Sequence, residues 1–133
     1  MLVEHARNVM GIRDAVHAEY GLAGTPVVTL LSCSLAESQI DIKITPNSHL
    51  AEIYGGLFVT EQTNCNYGLE PSFAHIAFSG GLTVSAVDNT DEVRAIERVD
   101  HPFFVATLYQ PQRTSRRDAP HPVWTAFVQA ATA

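Results

Sequence analysis

The chain is short of charged residues, and this shortage excludes some classes of protein. Charged residues make up 17% of the 133 residues, and the formal net charge is −6. Arg113, Arg116 and Arg117 form the only local basic cluster, which we interpret as a solvated loop. Nucleic-acid binding therefore has little electrostatic support. So few charges also indicate that part of the surface is covered by a partner or by further chain.

Cysteine and long apolar runs are scarce as well. The chain has two cysteines, Cys33 and Cys65, and no run approaches the ~18 apolar residues that a membrane span needs. The N-terminal stretch carries charges early and lacks the apolar segment of a signal peptide. We therefore expect a cytoplasmic protein without membrane contact, with both thiols reduced. The six histidines show no paired spacing, so we predict no metal site and no cofactor.

The length predicts one domain, residues 1–133. Helical spacing or helix-start signals occur at 2–9, 12–20, 49–54, 71–78 and from Pro122 onward. Strand patterns occur at 27–31, 39–45, 57–64, 82–87, 92–99 and 103–109. Because most of these helices are too short for parallel crossovers, the pattern predicts an α/β fold with a mixed sheet and flanking short helices.

The segment from His101 to Gln112 is the most informative part of the chain. It runs through mostly apolar residues from Phe103 to Tyr109 and ends at Gln110-Pro111-Gln112. The pattern predicts a buried strand, and α/β sheets carry their chemistry just beyond strand ends. We therefore expect a functional site at residues 110–112, which we call the tip.

Four polar residues in or near this segment are expected to have structural roles. Glu97 with Asp100-His101 could form an acid–base couple, but these residues lie at the start of the strand, away from the tip. His101 and His121 each precede a proline and are interpreted as caps of turns.

Several segments resemble the C-terminal glutamine amidotransferase domain of CTP synthase. The segments that match the pattern of that family together cover about residues 25–131; they are His101–Thr107 with Tyr109-x-Pro111, Glu92–Glu97, Ala51–Gly55, Glu61–Tyr67 and Pro122–Ala131. The resemblance implies a class I glutamine amidotransferase fold, which is flavodoxin-like, and ancestry in glutamine hydrolysis for amination of UTP.

The chain departs from the family at the residues that carry the chemistry. The family strand ends in Tyr-His-Pro-Glu, and its His and Glu complete a Cys-His-Glu triad. The aligned residues here are Gln110 and Gln112. An amide has no proton that titrates near neutral pH, so Gln110 cannot act as a general base. Asn66 aligns with the family's substrate-contacting arginine, so that cation is absent too.

The nucleophile motif of the family, Gly-x-Cys-x-Gly, does not occur in this sequence. Residues 2–9 resemble the helix that follows that motif, so we expect the chain to be the C-terminal portion of an amidotransferase-like domain. A related group of bacterial proteins shares Ser32–Leu35, Cys65–Gly68 and Tyr109–Pro111.

Both cysteines are candidate thiols for a different chemistry. Cys33 lies at the end of a predicted strand and is either a relocated nucleophile or a buried structural residue, and the second interpretation is favoured. Cys65 lies between Asn64 and Asn66, whose amides could donate to an oxyanion. A structural role for Cys65 remains the alternative.

The resemblance also points to ligand-binding residues, namely Asn64, Asn66, Tyr67 and Tyr109. For Tyr109 the alternative is packing under the terminal helix near Trp124. The sequence thus predicts an amidotransferase-like domain without catalytic activity that binds a glutamine-like small molecule. The alternative is a non-catalytic metabolite-binding or protein-interaction module. We expect a homo-oligomer or association with the N-terminal half of the domain.

Overall fold

A computed structural model describes residues 1–21 and 23–133. The helices are α1 (Leu2–Asn8), α2 (His49–Tyr54) and α3 (Pro122–Thr132), with 3₁₀ helices at Ala18–Tyr20, Pro71–Phe78 and Pro111–Arg113. The strands are β1 (Ala15–His17), β2 (Thr25–Ile44), β3 (Phe58–Leu69), β4 (Leu82–Asp88), β5 (Val93–Arg98) and β6 (Val105–Thr107).

The strands form one mixed sheet in the order β1-β2-β4-β5-β6, with β3 paired to β2. β1 runs parallel to β2, and the other pairs are antiparallel. The predicted mixed sheet with short flanking helices is therefore confirmed. β6 lies at the edge of the sheet, and its paired neighbour is β5.

β2 is a single strand of 20 residues, where the sequence predicted two separate strands at 27–31 and 39–45. The two predicted strands correspond to the two ends of β2. Between Leu30 and Ser38 the register with β3 shifts twice. This bulged middle has no apolar alternation, but its pairing with β3 continues the strand across it.

α2 begins and ends as its local sequence predicts. The N–H of Ala51 donates to Ser48 Oγ at 3.0 Å, which is an N-cap. Gly55 follows the helix with φ of 65°, a left-handed conformation that glycine adopts without strain. Glu97, fully buried on β5, accepts from the N–H groups of His49 at 2.9 Å and Leu50 at 3.1 Å. The structural role expected for Glu97 is therefore confirmed.

The predicted β4–β5 hairpin is confirmed, and Asp88 closes its turn. Asp88 Oδ1 accepts from the N–H groups of Thr90 at 2.8 Å and Glu92 at 3.1 Å, and Oδ2 accepts from Arg94 Nε at 2.8 Å. Burial alone would raise the pKa of Asp88, but the hydrogen bonds from Thr90 and Arg94 lower it below its ordinary value.

The helical turn predicted at 12–20 is wrong over most of its length. Ala15–His17 forms β1, which pairs with β2 from the Ala15–Thr25 contact onward, and only Ala18–Tyr20 is helical, as a 3₁₀ turn. Arg7 Nε also donates to the carbonyl of Ala15 at 2.8 Å. Pairing with a distant strand overrides the local preference here.

The long buried strand predicted at 103–109 is also wrong in extent. Only Val105–Thr107 is a strand, and its residues are half-buried rather than buried. Its position explains the difference, because an edge strand is covered on one side only. Tyr109 at its end is fully buried.

Two main core clusters lie at opposite ends of β2. One joins Ala6, Ala15, Val27, Val28 and Ile76. The other joins Ile42, Ile44, Leu50, Ala86, Ala95, Tyr109 and Val123, and it brings α2 and the start of α3 onto the sheet. The predicted site lies beside this second cluster.

Candidate functional site

The tip is held against the middle of β3. The N–H of Gln110 donates to the carbonyl of Gln62 at 3.0 Å, and Thr63 Oγ1 donates to the carbonyl of Leu108 at 3.4 Å. These contacts bring residues from two separate parts of the sequence together. Gln110 and Asn64, both named as candidate site residues from the sequence, therefore lie in contact, and their role in a site stays a prediction.

Asn64, Asn66 and Gln110 form what we call the amide cluster, and its carbonyl oxygens are used within the protein. Gln110 Oε1 accepts from the N–H of Asn64. Asn64 Oδ1 accepts from the N–H of Glu37 at 3.2 Å, and Asn66 Oδ1 accepts from Ser34 Oγ at 2.6 Å. Among the residues that the structure describes, no hydrogen-bond partner is found for Nδ2 of either asparagine. The amide cluster therefore offers N–H donors to solvent.

Gln112 and Tyr67 have no hydrogen bond to the amide cluster among the described residues. Gln112 is exposed and lines a hollow of about 420 Å³ between the tip and α3, which Trp124 and Phe127 also line. Tyr67 is half-buried against the first core cluster, with its ring centroid 5.0 Å from that of His17.

Cys33 is exposed, so the interpretation that favoured a buried structural cysteine is wrong. It lies in the bulged middle of β2, between Leu30 and Leu35, where regular pairing with β3 is interrupted. The irregular register leaves the thiol at the surface instead of in the core.

Cys65 is half-buried and free, and its Sγ donates to the carbonyl of Tyr67 at 3.3 Å. Asn64 and Asn66 flank it in β3, but adjacent side chains of a strand point to opposite faces of the sheet. The asparagine side chains are therefore not placed to donate to an oxyanion formed at Cys65.

A second group of polar side chains lies buried below the tip, and sequence reasoning missed it. Tyr54, Glu61, Tyr109 and His121 form this buried polar cluster. Glu61 Oε1 accepts from the Tyr54 hydroxyl at 2.6 Å and lies 2.9 Å from His121 Nε2. The hydroxyls of Tyr54 and Tyr109 are 3.3 Å apart. The cluster ties α2, β3, the end of β6 and the start of α3 together.

The hydrogen bonds of His121 fix its tautomer. Nδ1 accepts from the N–H of Val123 at 3.2 Å and so caps α3. Because Nδ1 is an acceptor, the ring hydrogen is on Nε2 and points to Glu61. The predicted turn cap at His121 is confirmed as a helix cap, with a buried carboxylate as its second partner. His101 also behaves as predicted, since its Nδ1 accepts from the N–H of Phe103 at 3.2 Å.

Burial sets the acid–base behaviour of the two tyrosines. Burial raises the pKa of Tyr54 far above its ordinary value, and the neighbouring Tyr109 and Glu61 raise it further. Burial likewise raises the pKa of Tyr109. Tyr109 is only 1% exposed. Of the two interpretations of Tyr109, packing under the terminal helix therefore describes its position. Both hydroxyls are protonated at neutral pH.

Glu61 Oε2 is buried without a hydrogen-bond partner among the described residues. Glu61 lies within an alternating segment of β3, and His121 follows it 60 positions later. No local spacing links the two residues. The only available signal was that Glu61 begins one segment that resembles the family and His121 directly precedes another.

Other kinds of site find no support in the described part of the chain. Within residues 1–21 and 23–133, no three His, Cys, Asp or Glu side chains cluster in a way that could hold a metal ion. Over the same residues, no helix is long and apolar enough to cross a membrane. The expected cytoplasmic location stays a prediction.

Known proteins resemble this chain in both sequence and structure. A CTP synthase of Caulobacter sp. is 32% identical over 150 residues, covering 98% of this chain and 27% of that protein. A CTP synthase of Caldivirga maquilingensis is 34% identical over 143 residues, covering 99% and 26%. The Trypanosoma brucei CTPS glutaminase domain with bound acivicin superimposes with a TM-score of 0.90 at 27% identity, covering 98% of this chain and 55% of that one. No protein-family model matches the chain.

These similarities first define a class: the chain has the fold of a class I glutamine amidotransferase. Within that class, the chain matches the glutamine amidotransferase domain of CTP synthase. It spans about a quarter of the length of the curated relatives it matches. The match therefore concerns this domain and does not extend to the activity of the whole enzyme.

Proposed function

We propose that this chain is a glutaminase-like domain that binds a small amide or carboxylate metabolite and does not hydrolyse glutamine. The observation that carries the proposal is the chemistry of the tip. Its side chains at the expected acid–base positions are Gln110 and Gln112, and the Gln110 carboxamide is already bonded to the backbone of Asn64. Neither side chain can take or give a proton near neutral pH.

The two thiols support the same conclusion. A cysteine nucleophile needs an adjacent base or another group that favours the thiolate. Among the described residues, neither Cys33 nor Cys65 has a hydrogen bond to a histidine or a carboxylate. The His121–Glu61 pair is buried and faces Tyr54.

The relatives support a role connected with pyrimidine nucleotide synthesis. They are CTP synthases, and the solved domain holds acivicin. From this relationship we infer ancestry in glutamine hydrolysis and retention of a ligand site at the tip. The outward amide N–H groups of Asn64 and Asn66 suit carboxylate or carbonyl oxygens, which accept hydrogen bonds. Without a cation at Asn66, affinity should be lower than a charge-assisted contact would give.

The absence of catalysis is tested by measuring ammonia release from glutamine. We expect no release by the wild-type chain or by the double variant Gln110→His/Gln112→Glu, because neither provides an activated thiol. Cys33→Ala and Cys65→Ala are the controls. Ammonia release by the purified wild-type chain that either cysteine variant abolishes would overturn this part of the proposal.

Ligand binding is tested by thermal unfolding with glutamine, glutamate, nucleotides or acivicin. A ligand present at about 100 times its Kd stabilises the folded chain by about 2.7 kcal/mol, which is several degrees in Tm for a domain of this size. Glutamine, glutamate or acivicin should raise Tm, and nucleotides should not. If none of these compounds shifts Tm, the binding proposal fails and the chain is better described as a pure interaction module.

The interaction-module alternative has its own supporting observation. Trp124, Phe127 and Val128 on α3 are 42%, 47% and 56% exposed, which is unusual for apolar side chains on one helix of a small domain.

A further inference from the structure

A cation lies beside the amide cluster, although the cluster itself contains none. Arg113 ends the 3₁₀ helix Pro111–Arg113, and its N–H donates to the carbonyl of Gln110 at 3.0 Å. Gln110 in turn bonds to Asn64 through its side chain. Arg113 is half-buried, whereas the other two arginines of the basic cluster are exposed. Arg113 is therefore fixed next to the tip and differs from the rest of the basic cluster.

The side chain of Arg113 pairs with a carboxylate from a distant segment. Its Nη2 donates to Glu37 Oε2 at 2.8 Å, across 76 positions of the sequence. The two side chains are 33% and 71% exposed. An ion pair this open to water contributes little to stability, because water and salt screen it. Another carboxylate can therefore replace that of Glu37 on Arg113 at small cost.

Glu37 also contacts the amide cluster, through its backbone. Its N–H donates to Asn64 Oδ1 at 3.2 Å. Its φ is 48°, in the left-handed region that a residue with a Cβ adopts only at a cost in energy. Held in this way in the bulged middle of β2, one glutamate residue connects the amide cluster to Arg113. The gap between Asn64 and Arg113 is therefore the length of one glutamate.

The two ends of this gap favour different chemical groups. The guanidinium of Arg113 has only donors and always carries its charge, so it favours a carboxylate. The outward Nδ2 groups of Asn64 and Asn66 are neutral donors, for which a carbonyl oxygen is a sufficient partner. Free glutamine carries a carboxylate at one end and a carboxamide carbonyl at the other, over a carbon chain as long as that of Glu37.

We infer that Arg113 binds the carboxylate of the ligand and that Glu37 occupies this position when no ligand is bound. The inference rests on the proposed ligand site at the tip and narrows its ligand to compounds that carry a carboxylate. On binding, the Glu37 side chain turns into solvent, and the ligand carboxylate takes its place on Arg113. The ligand carbonyl accepts from Asn64 and Asn66. Glu37 is thus an internal competitor of the ligand.

Calorimetric titration with glutamine tests the inference, and circular dichroism checks that each variant folds. Arg113→Gln should weaken binding about tenfold, because a hydrogen bond to a charged group is lost. Glu37→Gln should instead strengthen binding, by up to about fivefold, because a competing surface ion pair is removed. In the Arg113→Gln background, Glu37→Gln should have no effect, since the two residues act on one position. Opposite effects of the two partners distinguish competition from a structural salt bridge.

Arg98 and Asp100 provide the matched controls. Their side chains form a similar ion pair and are 29% and 60% exposed, at the end of β5 away from the tip. Arg98→Gln and Asp100→Asn should therefore leave glutamine binding unchanged. Glutaminol, which has a hydroxymethyl group in place of the carboxylate of glutamine, is a second probe. It should bind the wild-type chain about tenfold more weakly than glutamine.

The possible results separate this inference from the proposed function. Unchanged glutamine affinity in Arg113→Gln, weaker binding in Glu37→Gln, or equal affinities for glutamine and glutaminol would overturn the inference and leave the proposed function standing. Glutamine binding that is detected only in Glu37→Gln would support the inference, because that variant lacks the competitor. If neither the wild type nor Glu37→Gln binds any of the compounds, the proposed function itself fails, and the inference fails with it.

Discussion

The two polar clusters on either side of the tip have opposite compositions. In the buried polar cluster, the Glu61 carboxylate, the His121 imidazole and the Tyr109 hydroxyl all lie within 3.3 Å of the Tyr54 hydroxyl. The amide cluster, which solvent can reach, contains Asn64, Asn66 and Gln110 and no ionisable side chain. The ionisable side chains of the first cluster are thus buried or half-buried, whereas the side chains of the exposed amide cluster cannot move protons.

This difference separates structural from catalytic use of the same residue types. A His–Glu contact is a familiar sign of catalysis, but here it holds the start of α3 to β3. Solvent access and a nearby nucleophile decide the role, more than the residue pair itself. The comparison can be tested by changing one cluster at a time, since stability should depend on the buried cluster and binding on the exposed one.

The largest effect is expected from His121→Ala. The substitution removes the hydrogen bond to the Glu61 carboxylate and the cap of α3, and we expect a loss of about 2–4 kcal/mol in the free energy of unfolding. Urea denaturation measures it. Asn89→Ala, a change at an exposed turn residue, is the control and should cost less than about 0.5 kcal/mol. A His121→Ala loss as small as that of the control would show that the buried cluster does not stabilise the fold.

A smaller effect is expected from the buried tyrosines at alkaline pH. In the unfolded chain a tyrosine ionises near pH 10, whereas burial keeps Tyr54 and Tyr109 protonated to higher pH. Their contribution is therefore complete below pH 10 and is lost as the pH rises above it, by up to about 1.4 kcal/mol per pH unit for each tyrosine. Unfolding free energies at pH 9, 10 and 11 should fall less steeply in Tyr54→Phe than in the wild type.

Tyr20→Phe is the matched control for the alkaline experiment. Tyr20 is 86% exposed, and the substitution should leave the pH dependence unchanged. Equal slopes for the wild type and Tyr54→Phe would contradict the assigned cause, because the buried hydroxyl would then contribute nothing to the loss above pH 10.

The smallest effect on stability is expected from Asn66→Ala, which acts on the exposed cluster. It removes one outward N–H donor group, and the lost hydrogen bond of about 1 kcal/mol should weaken binding of glutamine or acivicin about fivefold. Unfolding free energy should change by less than about 0.5 kcal/mol. Calorimetric titration of Asn66→Ala beside Asn89→Ala measures the difference. Unchanged affinity would show that the ligand does not bind at the amide cluster.

Local signals in the sequence predicted those elements whose ends are set by neighbouring residues. Ser48 and Gly55 bound α2, and Asp88 closes the β4–β5 turn, because each acts on backbone groups within a few positions. Ala15–His17 was assigned to a helix, since its strand exists only through pairing with β2. Strand pairing at a distance leaves little trace in the paired segment itself.

Only part of the candidate site could be predicted, because contacts between distant segments leave little trace in the sequence of either segment. The resemblance to a family named Gln110 and Asn64 as candidate site residues, and in the structure these two residues are hydrogen-bonded. The contact between Glu61 and His121 joins residues 60 positions apart, and neither residue type is unusual in its own segment. The exposure of Cys33 was missed because a register shift in β2, which no composition signals, decides it.

The length of β2 has a consequence for how the molecule unfolds. Twenty residues of strand extend for at most about 66 Å, with Val27 and Val28 in one core cluster and Ile42 and Ile44 in the other. The bulged middle contributes little buried surface to either. The molecule should therefore open in two cooperative units that share one backbone, and the region around Cys33 is the place where one unit can unfold while the other stays intact.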